Sequence, residues 1–316
     1  MKQLEPIHWW ICDEGDTNFC AYVDTDSNYF NAEPLLKHLN SDFDSLPDKE
    51  KDDMLEKVAL KYQDIITEYY DTLARDCFNV DSHRLEMKTE CVIRSAYFRA
   101  PRRYAQWITK QEGIEKETLD IKGLEYMKVN FPPTFGKMFN GIVQKALKGT
   151  PKSQIDKEII EFREKVINTN EVGLEELGNP VSVKTLNTYT NPQNGYSPPR
   201  PGTIFSTPGI KAPAGVKAAI RYNDLLKFWK LDRQHSTIVQ SDKIKWVYLK
   251  DNPYKIDSIG FMEFDLPEKI RTFIEEYVDR EQIFDNVLLN KLNGFYSDLG
   301  WHLNLNPYAS MFFNFG

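Results

Sequence analysis

The chain has 316 residues, of which 41% are hydrophobic, and its net charge is −7 at neutral pH. This length can bury one large core or two smaller ones, so two domains are expected. The cysteines at positions 12, 20, 77 and 91 stand far apart without a Cys-x-x-Cys pair, which argues against a disulfide scaffold and a zinc knuckle. The apolar run at 7–12 is too short for a signal core, and no stretch is long enough to span a membrane, so a soluble cytoplasmic protein is expected.

Charge is distributed unevenly along the chain. Residues 40–81 carry twelve acids and five bases, and this stretch should face water or a protein rather than phosphate. Residues 126–155 carry five lysines and no acid, and residues 177–230 carry seven bases and only Asp224. A phosphate backbone could lie along these two basic stretches, because each neutralised phosphate adds salt-dependent affinity. Solvated surface with accidental clustering is the alternative explanation.

The first predicted element is a hairpin. Residues 18–23 and 28–30 have the character of strands, and Asp24-Thr25-Asp26-Ser27 lies between them. A tight turn can bring both carboxylates to one end of the hairpin, where a hard cation such as Mg²⁺ would bind oxygen ligands. The spacing indicates a metal site but no particular reaction.

A long helix and a sheet are predicted next. Apolar residues recur at three- and four-residue steps behind Ser45, a candidate N-cap, and Pro47. The residues of this stripe are Leu55, Val58, Tyr62, Ile65, Tyr69 and Leu73. We expect the stripe to enter the core. Strands are predicted at 85–98, 103–109 and 119–125, the last two joined through Gln111-Glu112-Gly113, which gives an antiparallel sheet backed by the helix.

The second half of the chain is predicted to be mainly helical. Pro132-Pro133 ends the first unit, and helices are expected at 134–148 and 152–168, separated by Gly149-Thr150-Pro151. Residues 187–215 are rich in Pro, Gly, Asn and Ser and should form a hydrated loop. A strand at 244–249 and helices at 267–277 and 282–292 complete the pattern. The predicted fold class is α+β, with a domain boundary near Pro132.

Several segments share one ordered pattern. Tyr22-Val23-Asp24-Thr25-Asp26-Ser27, with an aromatic residue close behind, resembles the third palm motif of family B DNA polymerases, whose common form is Tyr-x-Asp-Thr-Asp-Ser. Arg102-Arg103-Tyr104 resembles the family's Lys-x-Tyr element, with Arg102 in place of the lysine. Lys122-Gly123-Leu124-Glu125 resembles its Lys-Gly-Leu-Glu strand, and Glu90 falls where the family has an auxiliary carboxylate. Residues 219–223 and 248–254 resemble thumb segments, and the order is that of the T-even phage replicative type.

The resemblance covers nearly the whole chain but not the whole enzyme. The family's first palm motif, its fingers helix and its exonuclease carboxylates are absent from the sequence. The resemblance therefore implies the C-terminal third of a polymerase: part of an antiparallel palm sheet backed by helices at 1–131, and a mainly helical thumb at 132–308. An N-terminal polymerase subunit would supply the rest. A split gene and a truncated fragment are both open explanations.

The resemblance also implies a reaction and its ligands. Template-directed transfer of a dNTP to a primer uses two Mg²⁺ ions, one lowering the pKa of the primer 3′-hydroxyl and one holding the triphosphate. By resemblance Asp26 bridges the two ions, Asp24 lies beside it, Glu90 is auxiliary, and the second bridging aspartate belongs to the partner. Little metal affinity and no polymerisation are expected from this chain alone.

The contacts with primer-template DNA follow from the same resemblance. Residues near the active site would hold the backbone of primer and template, and lysines of the thumb would follow the duplex. The first group is Arg102, Arg103, Tyr104 and Lys122, and the second is Lys137, Lys145 and Lys148. Such contacts position the duplex without reading its sequence.

Other interpretations of the acidic turn exist. Asp24-Thr25-Asp26 could open an EF-hand calcium loop, but Tyr29 and Leu35 occupy the positions of the required glycine and glutamate. It could also be the Asp-x-Asp element of a metal-dependent glycosyltransferase. A non-catalytic DNA- and clamp-binding accessory protein with a palm-thumb fold is a third interpretation, against which the intact aspartates argue. The sequence has no Gly-x-Ser-x-Gly elbow and no P-loop, which excludes the corresponding hydrolases and ATPases.

The last eight residues, 309–316, read Ala-Ser-Met-Phe-Phe-Asn-Phe-Gly. A terminus this apolar needs something to cover it. Polymerases of the T-even type end in a similar Ala-Ser-Leu-x-x-x-Phe tail that binds the sliding clamp, which implies that Met311, Phe312 and Phe315 are clamp-binding anchors. Packing of these rings on the protein's own thumb is the alternative.

Overall fold

The computed structural model describes residues 19–24, 27–124, 131–168, 171–209 and 211–305, with the backbone but not the side chain of Asp24. The chain divides into two compact units, Met1–Leu124 and Glu125–Gly316. The described residues form three small antiparallel sheets and a set of helices. The α+β class is therefore confirmed.

The first unit begins with the predicted hairpin, formed by β1 (Cys20–Asp24) and β2 (Ser27–Phe30). A short helix, α1 (Glu33–Leu39), has a proline in its first turn, which is a favoured place for proline because the first N–H groups of a helix have no partner within it. After a 3₁₀ turn at Phe43–Ser45, α2 (Asp48–Phe78) starts directly behind Pro47. It ends at Asn79, whose φ of 52° lies in the left-handed region that commonly terminates helices.

The long helix α2 is present as predicted, but its apolar stripe does not form a core. Tyr69 is 60% exposed and Ile65 is 36% exposed, and the buried residues of α2 are Asp52 and Ala74. Polar contacts hold the helix to the sheet instead. Arg94 lies 2.5 Å from an oxygen of Asp52 and 2.9 Å from one of Asp48. The other four residues of the stripe, Leu55, Val58, Tyr62 and Leu73, are half-buried, and Tyr62 packs on Phe30 with ring centroids 4.9 Å apart, so the prediction of a fully buried stripe is wrong.

A second cluster of ion pairs reinforces this contact. The ammonium group of Lys110, a residue only 6% exposed, lies 2.5 Å from Asp53 and 2.6 Å from Glu56 on α2. These carboxylates raise the pKa of Lys110, so the lysine stays charged. Part of the acidic stretch thus faces the protein's own sheet rather than solvent or another protein.

The sheet of this unit has the order β3-β4-β5, with β3 (Cys91–Ala100), β4 (Arg103–Gln111) and β5 (Ile114–Lys122). Glu112 and Gly113, with φ of 51° and 77°, form a two-residue turn within the predicted connection Gln111-Glu112-Gly113, and β5 begins at Ile114 rather than at the predicted residue 119. The strand expected from residue 85 starts instead at Cys91. Cys91 pairs with Gln111, the last residue of β4, so the preceding residues have no strand opposite them in this sheet.

The second unit opens with the two predicted helices, α3 (Pro133–Leu147) and α4 (Lys152–Ile167). The ring of Phe135 on α3 packs edge-to-face against Phe162 on α4, with centroids 5.5 Å apart. Two single-turn helices follow, α5 (Leu174–Leu177) and α6 (Leu186–Tyr189). The prediction of two helices separated by a Gly-Thr-Pro break is confirmed.

A three-stranded sheet with the order β6-β7-β8 lies in the middle of this unit. Its strands are β6 (Asn179–Ser182), β7 (Lys243–Tyr248) and β8 (Ser258–Phe261), of which only β7 is predicted. Helix α7 (Ala214–Phe228) packs on this sheet so closely that a Cβ on Gly260 would lie 3.2 Å from the carbonyl carbon of Ala218. Glycine at position 260 therefore permits the helix to approach β8.

The predicted loop at 187–215 is mostly irregular. Within its described part, α6 enters at the start, a 3₁₀ turn covers Pro192–Asn194, and Ser197 forms an isolated antiparallel bridge with Thr207. Asp224 on α7 holds the loop in place. This aspartate is 8% exposed and accepts hydrogen bonds from the N–H (2.7 Å) and the hydroxyl (3.0 Å) of Ser206.

The chain continues through α8 (Glu268–Tyr277) and α9 (Arg280–Ile283), a π-helical segment Phe284–Leu289, and α10 (Asn290–Asp298). The predicted helix at 282–292 is thus part of a longer helical run with one widened turn. Within the ranges that the structure describes, each helix is too short or too polar to cross a lipid bilayer.

Candidate nucleic-acid interface

Four aromatic rings join the hairpin to the sheet of the first unit. Tyr22 and Tyr29 form a cross-strand pair in the hairpin, with ring centroids 5.7 Å apart. Both rings pack against Phe98 and Tyr104, which pair across β3 and β4, at centroid distances of 5.5 to 5.9 Å. We call these four rings the aromatic box. Tyr22 lies two residues before Asp24, so the acidic turn begins roughly 7 Å along the strand from the box.

The turn between β3 and β4 lies next to the aromatic box. It is formed by Pro101 and Arg102, and Arg102 has a φ of 59°, a conformation in which a side chain is strained. The backbone N–H of Arg102 donates a hydrogen bond of 2.9 Å to the hydroxyl of Tyr22. Arg102 and its neighbour Arg103 are both exposed. The hairpin therefore fixes the turn that carries the two arginines.

Gly123 closes the other side of this turn. Its φ is +64°, and a Cβ built on it would lie 1.9 Å from the carbonyl oxygen of Arg102, well inside contact distance. Any residue other than glycine must therefore displace either strand β5 or the Arg102 turn. The glycine allows the end of β5 to pass directly beneath the arginines.

Lys122 adds a third cation beside Tyr104, its partner across β4 and β5. The ammonium group of Lys122 lies 5.9 Å from the centre of the Tyr104 ring and 3.8 Å from the carboxylate of Asp120. Asp120 is the main cause that raises the pKa of Lys122 above its ordinary value. Asp120 is itself held by Gln106, whose Nε2 donates a hydrogen bond of 2.9 Å. Lys122 is thus a cation at neutral pH, with part of its charge offset by Asp120.

Two further titrating groups lie near this surface. Burial, and then the Tyr104 hydroxyl at 3.4 Å, raise the pKa of Tyr29, so this phenol stays protonated. Burial raises the pKa of the Cys91 thiol, and the neighbouring carboxylate of Glu90 contributes. Glu90 itself is exposed and precedes β3, and its carbonyl accepts a hydrogen bond of 2.8 Å from the N–H of Glu112.

The carboxylate oxygens of the two predicted metal ligands lie outside the described residues. Asp24 is the last residue of β1 and pairs with Ser27, but its side chain lies outside the described residues, as does the whole of Asp26. In the part of the chain that is described, no group of three or more His, Cys, Asp and Glu side chains could hold a metal ion. The magnesium site at the hairpin tip stays a prediction.

Of the lysines predicted to follow the duplex, some are exposed and others pair with acids. Lys137 on α3 and Lys148 after it are exposed. Lys145 forms an ion pair with Glu158 of α4. Lys152 lies 2.5 Å from Asp156 and 5.8 Å from the centre of the Tyr296 ring. Neighbouring acids therefore compensate part of this basic stretch. The predicted clamp-binding residues Met311, Phe312 and Phe315 lie outside the described residues.

The structure brings together Arg102, Tyr104 and Lys122, and it adds contacts that sequence reasoning does not identify. The role of Tyr29 in the box and the contact between Gly123 and the Arg102 carbonyl depend on which strands become neighbours. The signal that could have found the box is the aromatic residue on each side of the acidic turn, at positions 22 and 29.

No protein-family model matches the chain, and no curated protein matches it. The geometry around Tyr104 and the motifs of the sequence are therefore the basis on which function is inferred.

Proposed function

We propose that this chain is the C-terminal part of a DNA-directed DNA polymerase of family B, of the T-even phage type, and that it extends primers only together with an N-terminal partner chain. The observation that carries the proposal is the convergence of three distant segments on Tyr104. They are the hairpin, through Tyr22 and Tyr29, the turn at Arg102, and the end of β5 at Lys122 and Gly123. Each segment separately resembles a polymerase element.

The cations of this surface are suited to a nucleic-acid backbone. Arg102, on a turn hydrogen-bonded to Tyr22, and Arg103 after it are exposed, and Lys122 lies 3.8 Å from Asp120, which raises the lysine's pKa and offsets part of its charge. Charged donors fixed by packing bind phosphate oxygens without reading bases, which is what a polymerase needs near the primer end. The proposed ligand of this surface is the backbone of primer-template DNA.

The acidic turn supplies the chemical type of ligand that Mg²⁺ requires. Asp26 and Asp24 are hard oxygen donors, and Asp24 is the last residue of β1, paired with Ser27 across the hairpin. With the partner's aspartate they would hold the ions, which when bound stabilise charge on the transferred phosphoryl group of the dNTP. Glu90 is proposed as the auxiliary carboxylate of this centre.

The proposal includes two protein partners. The sheet β3-β4-β5 has outer strands at β3 and β5, and among the described residues no further strand pairs with them. An N-terminal polymerase subunit that adds a strand would complete a palm at 1–131 and cover such an edge, which otherwise favours aggregation. Residues 132–308 would form the thumb, and the tail at 309–316 would bind the sliding clamp.

Primer extension is the direct test. The chain is mixed with the product of a neighbouring reading frame that encodes the missing palm motif and fingers, and extension of a labelled primer is followed with Mg²⁺ and dNTPs. We expect activity only from the mixture, a loss of several orders of magnitude in Asp26→Asn and a smaller loss in Asp24→Asn.

The matched control is Asp81→Asn, which removes an exposed acid elsewhere in the same unit and should leave extension unchanged. Extension by this chain alone, or equal activities of Asp26→Asn and Asp81→Asn, would refute the proposal.

A further inference from the structure

A second aromatic cluster lies on the other unit. Each ring has its centroid 5.2 to 6.3 Å from that of at least one other ring. We call this cluster the aromatic patch. Its members are Phe205 before α7, Phe228 and Trp229 at the end of α7, Tyr254 between β7 and β8, and Phe273 and Tyr277 on α8.

The exposure of these rings distinguishes the patch from a core. Phe273 is buried at 7%, whereas Phe228 is 52% exposed. Phe205, Trp229 and Tyr254 are half-buried. Phe273 thus lies beneath half-buried rings, and Phe228 is the ring of the patch that is exposed to solvent. Apolar area of this kind on a surface is unfavourable in water unless a ligand covers it.

Cations accompany the patch. The ammonium group of Lys269 lies 4.5 Å from the centre of the Trp229 ring. Lys227 and Lys230 flank Phe228 and Trp229 in the sequence and are exposed, and the backbone N–H of Lys250 donates a hydrogen bond of 2.7 Å to the carbonyl of Tyr277. Lys269 is thus the lysine in contact with the patch, and Lys227 and Lys230 are exposed next to its rings in the sequence.

The acids nearest to these rings are already engaged. Asp251 lies 2.8 Å from the ammonium group of Lys255. Glu276 interacts with the hydroxyl of Tyr277 and raises the pKa of that phenol. Asp224 lies under the loop that carries Phe205 and accepts the hydrogen bonds of Ser206. An approaching ligand therefore meets the lysine beside Trp229 and, at Tyr277, the carboxylate of Glu276.

Exposed rings interleaved with lysines match one class of ligand in particular. Every nucleic-acid base has an aromatic face that stacks on such rings, and every nucleotide carries a phosphate that binds a lysine. In a duplex the base faces are already stacked on one another and cannot reach a ring. We propose that the aromatic patch binds single-stranded nucleic acid, with bases on Phe228 and its neighbours and phosphates on Lys227, Lys230 and Lys269.

This site differs from the primer-template surface in the residues that form it and in its use of stacking in addition to charge. It does not depend on the acidic turn or on any partner chain. The two proposals can therefore fail independently.

The test measures binding of a fluorescently labelled oligothymidylate to the full chain by anisotropy. Phe228→Leu keeps an apolar side chain but has no ring, and we expect binding about tenfold weaker, as for loss of one stacked base. Phe228→Trp restores a ring and should bind at least as tightly as the original chain. Phe264→Leu is the matched control, since Phe264 is 82% exposed on the same unit but lies outside the patch.

Salt dependence separates stacking from charge. Phe228→Leu should shift affinity equally at all salt concentrations, whereas Lys269→Gln should lower the slope of log K against log salt by roughly 0.7. Lys157→Gln is the charge control, because Lys157 is 78% exposed on α4. The Arg102→Gln variant should keep its affinity for oligothymidylate even where it loses affinity for primer-template duplex.

Three outcomes would overturn the inference. The first is absence of oligothymidylate binding by the original chain. The second is equal binding by Phe228→Leu and Phe264→Leu. The third is an equal effect of Phe228→Leu on a blunt-ended duplex, which would mean that the patch acts through something other than exposed bases.

Discussion

The carbonyl oxygen of Arg102 occupies the space that a side chain at Gly123 would need, 1.9 Å from the position of its Cβ. This contact couples the turn after β3 to the end of β5, because neither can shift without the other. The cationic surface around Tyr104 therefore depends on the absence of a single carbon atom.

Gly123→Ala should destabilise the first unit more than a simple change of backbone preference explains. The matched control is Gly113→Ala, at a φ of +77° in the same sheet, where the nearest atom to a new Cβ is Glu56 Oε1 at 3.7 Å. We expect a cost of about 1 kcal/mol in the free energy of unfolding for Gly113→Ala and more than about 2 kcal/mol for Gly123→Ala. Urea unfolding measures both, and equal costs would show that the turn yields without penalty.

Glycine at position 102 and glycine at position 103 should have opposite effects on the free energy of unfolding. Arg102 has a positive φ that glycine adopts freely, so Arg102→Gly should raise the free energy of unfolding by about 0.5–1 kcal/mol. Arg103 is the first residue of β4, and Arg103→Gly should lower it by about the same amount.

Both variants should bind primer-template DNA more weakly, with the slope of log K against log salt reduced by roughly 0.9 each. Thermal unfolding and fluorescence anisotropy measure the two effects. An unchanged salt slope in either variant would remove that arginine from the DNA interface.

Two aspartates of the second unit should show opposite pH dependence. Asp224 and Asp265 each accept a serine backbone N–H at 2.7 Å. Burial dominates at Asp224 and raises its pKa, whereas the Ser236 N–H and His235 lower the pKa of Asp265. A raised carboxyl pKa favours the folded state at low pH, and this contribution disappears as the pH rises through the folded-state value. A lowered pKa contributes stability above the ordinary carboxyl value of 3.8 that disappears as the pH falls.

The measurement is the melting temperature from pH 3 to 7 for the original chain and for Asp224→Asn and Asp265→Asn. The original chain should lose stability relative to Asp224→Asn as the pH rises above 3.8, and relative to Asp265→Asn as the pH falls below it. Difference curves of the same sign would contradict the stated causes.

Deletion of residues 311–316 tests the clamp-binding prediction. If Met311, Phe312 and Phe315 form a docking peptide, the shortened chain should keep its melting temperature and lose binding to the sliding clamp in a pull-down experiment. An Asn314→Ala variant keeps all the proposed anchors and serves as the control. A lower melting temperature with unaltered clamp binding would show that the rings belong to the protein's own core.

The elements that the sequence predicts well are those whose signals are local. The hairpin and the Glu112-Gly113 turn follow from alternation and from residues that tolerate positive φ, and α3 and α4 follow from clear periodicity. Strands β6 and β8 are missed because each has four residues and is held by pairing with β7, which is distant in the chain.

Helix α7 is missed for a different reason. Most of it is buried, including Val216, Tyr222 and Leu226, so its polar stripe is narrow, with Lys217 and Arg221 only half-buried, and gives a weak helical period. Helix α2 is the opposite case. Its apolar period predicted a helix correctly, but the prediction that the apolar stripe is buried is wrong. At the candidate site, the cations could be predicted from motifs, whereas the contact at Gly123 depends on strand geometry that no local pattern records.

The π-helical segment Phe284–Leu289 lies between α9 and α10. Because of it, the number of residues in this helical run matters as much as their identity. Buried residues recur there every four residues, at Ile283 and Phe284, at Val287 and Leu288, at Leu292 alone, and at Phe295 and Tyr296. A uniform α-helix advances about 40° too far at each four-residue interval, so the last pair would face about 120° away from the first. The π segment absorbs part of this drift. Because a π turn holds one residue more than an α turn, removal of one residue from this segment returns it to α-helix and keeps the downstream register, whereas removal of one residue from α10 rotates everything after it by about 100°.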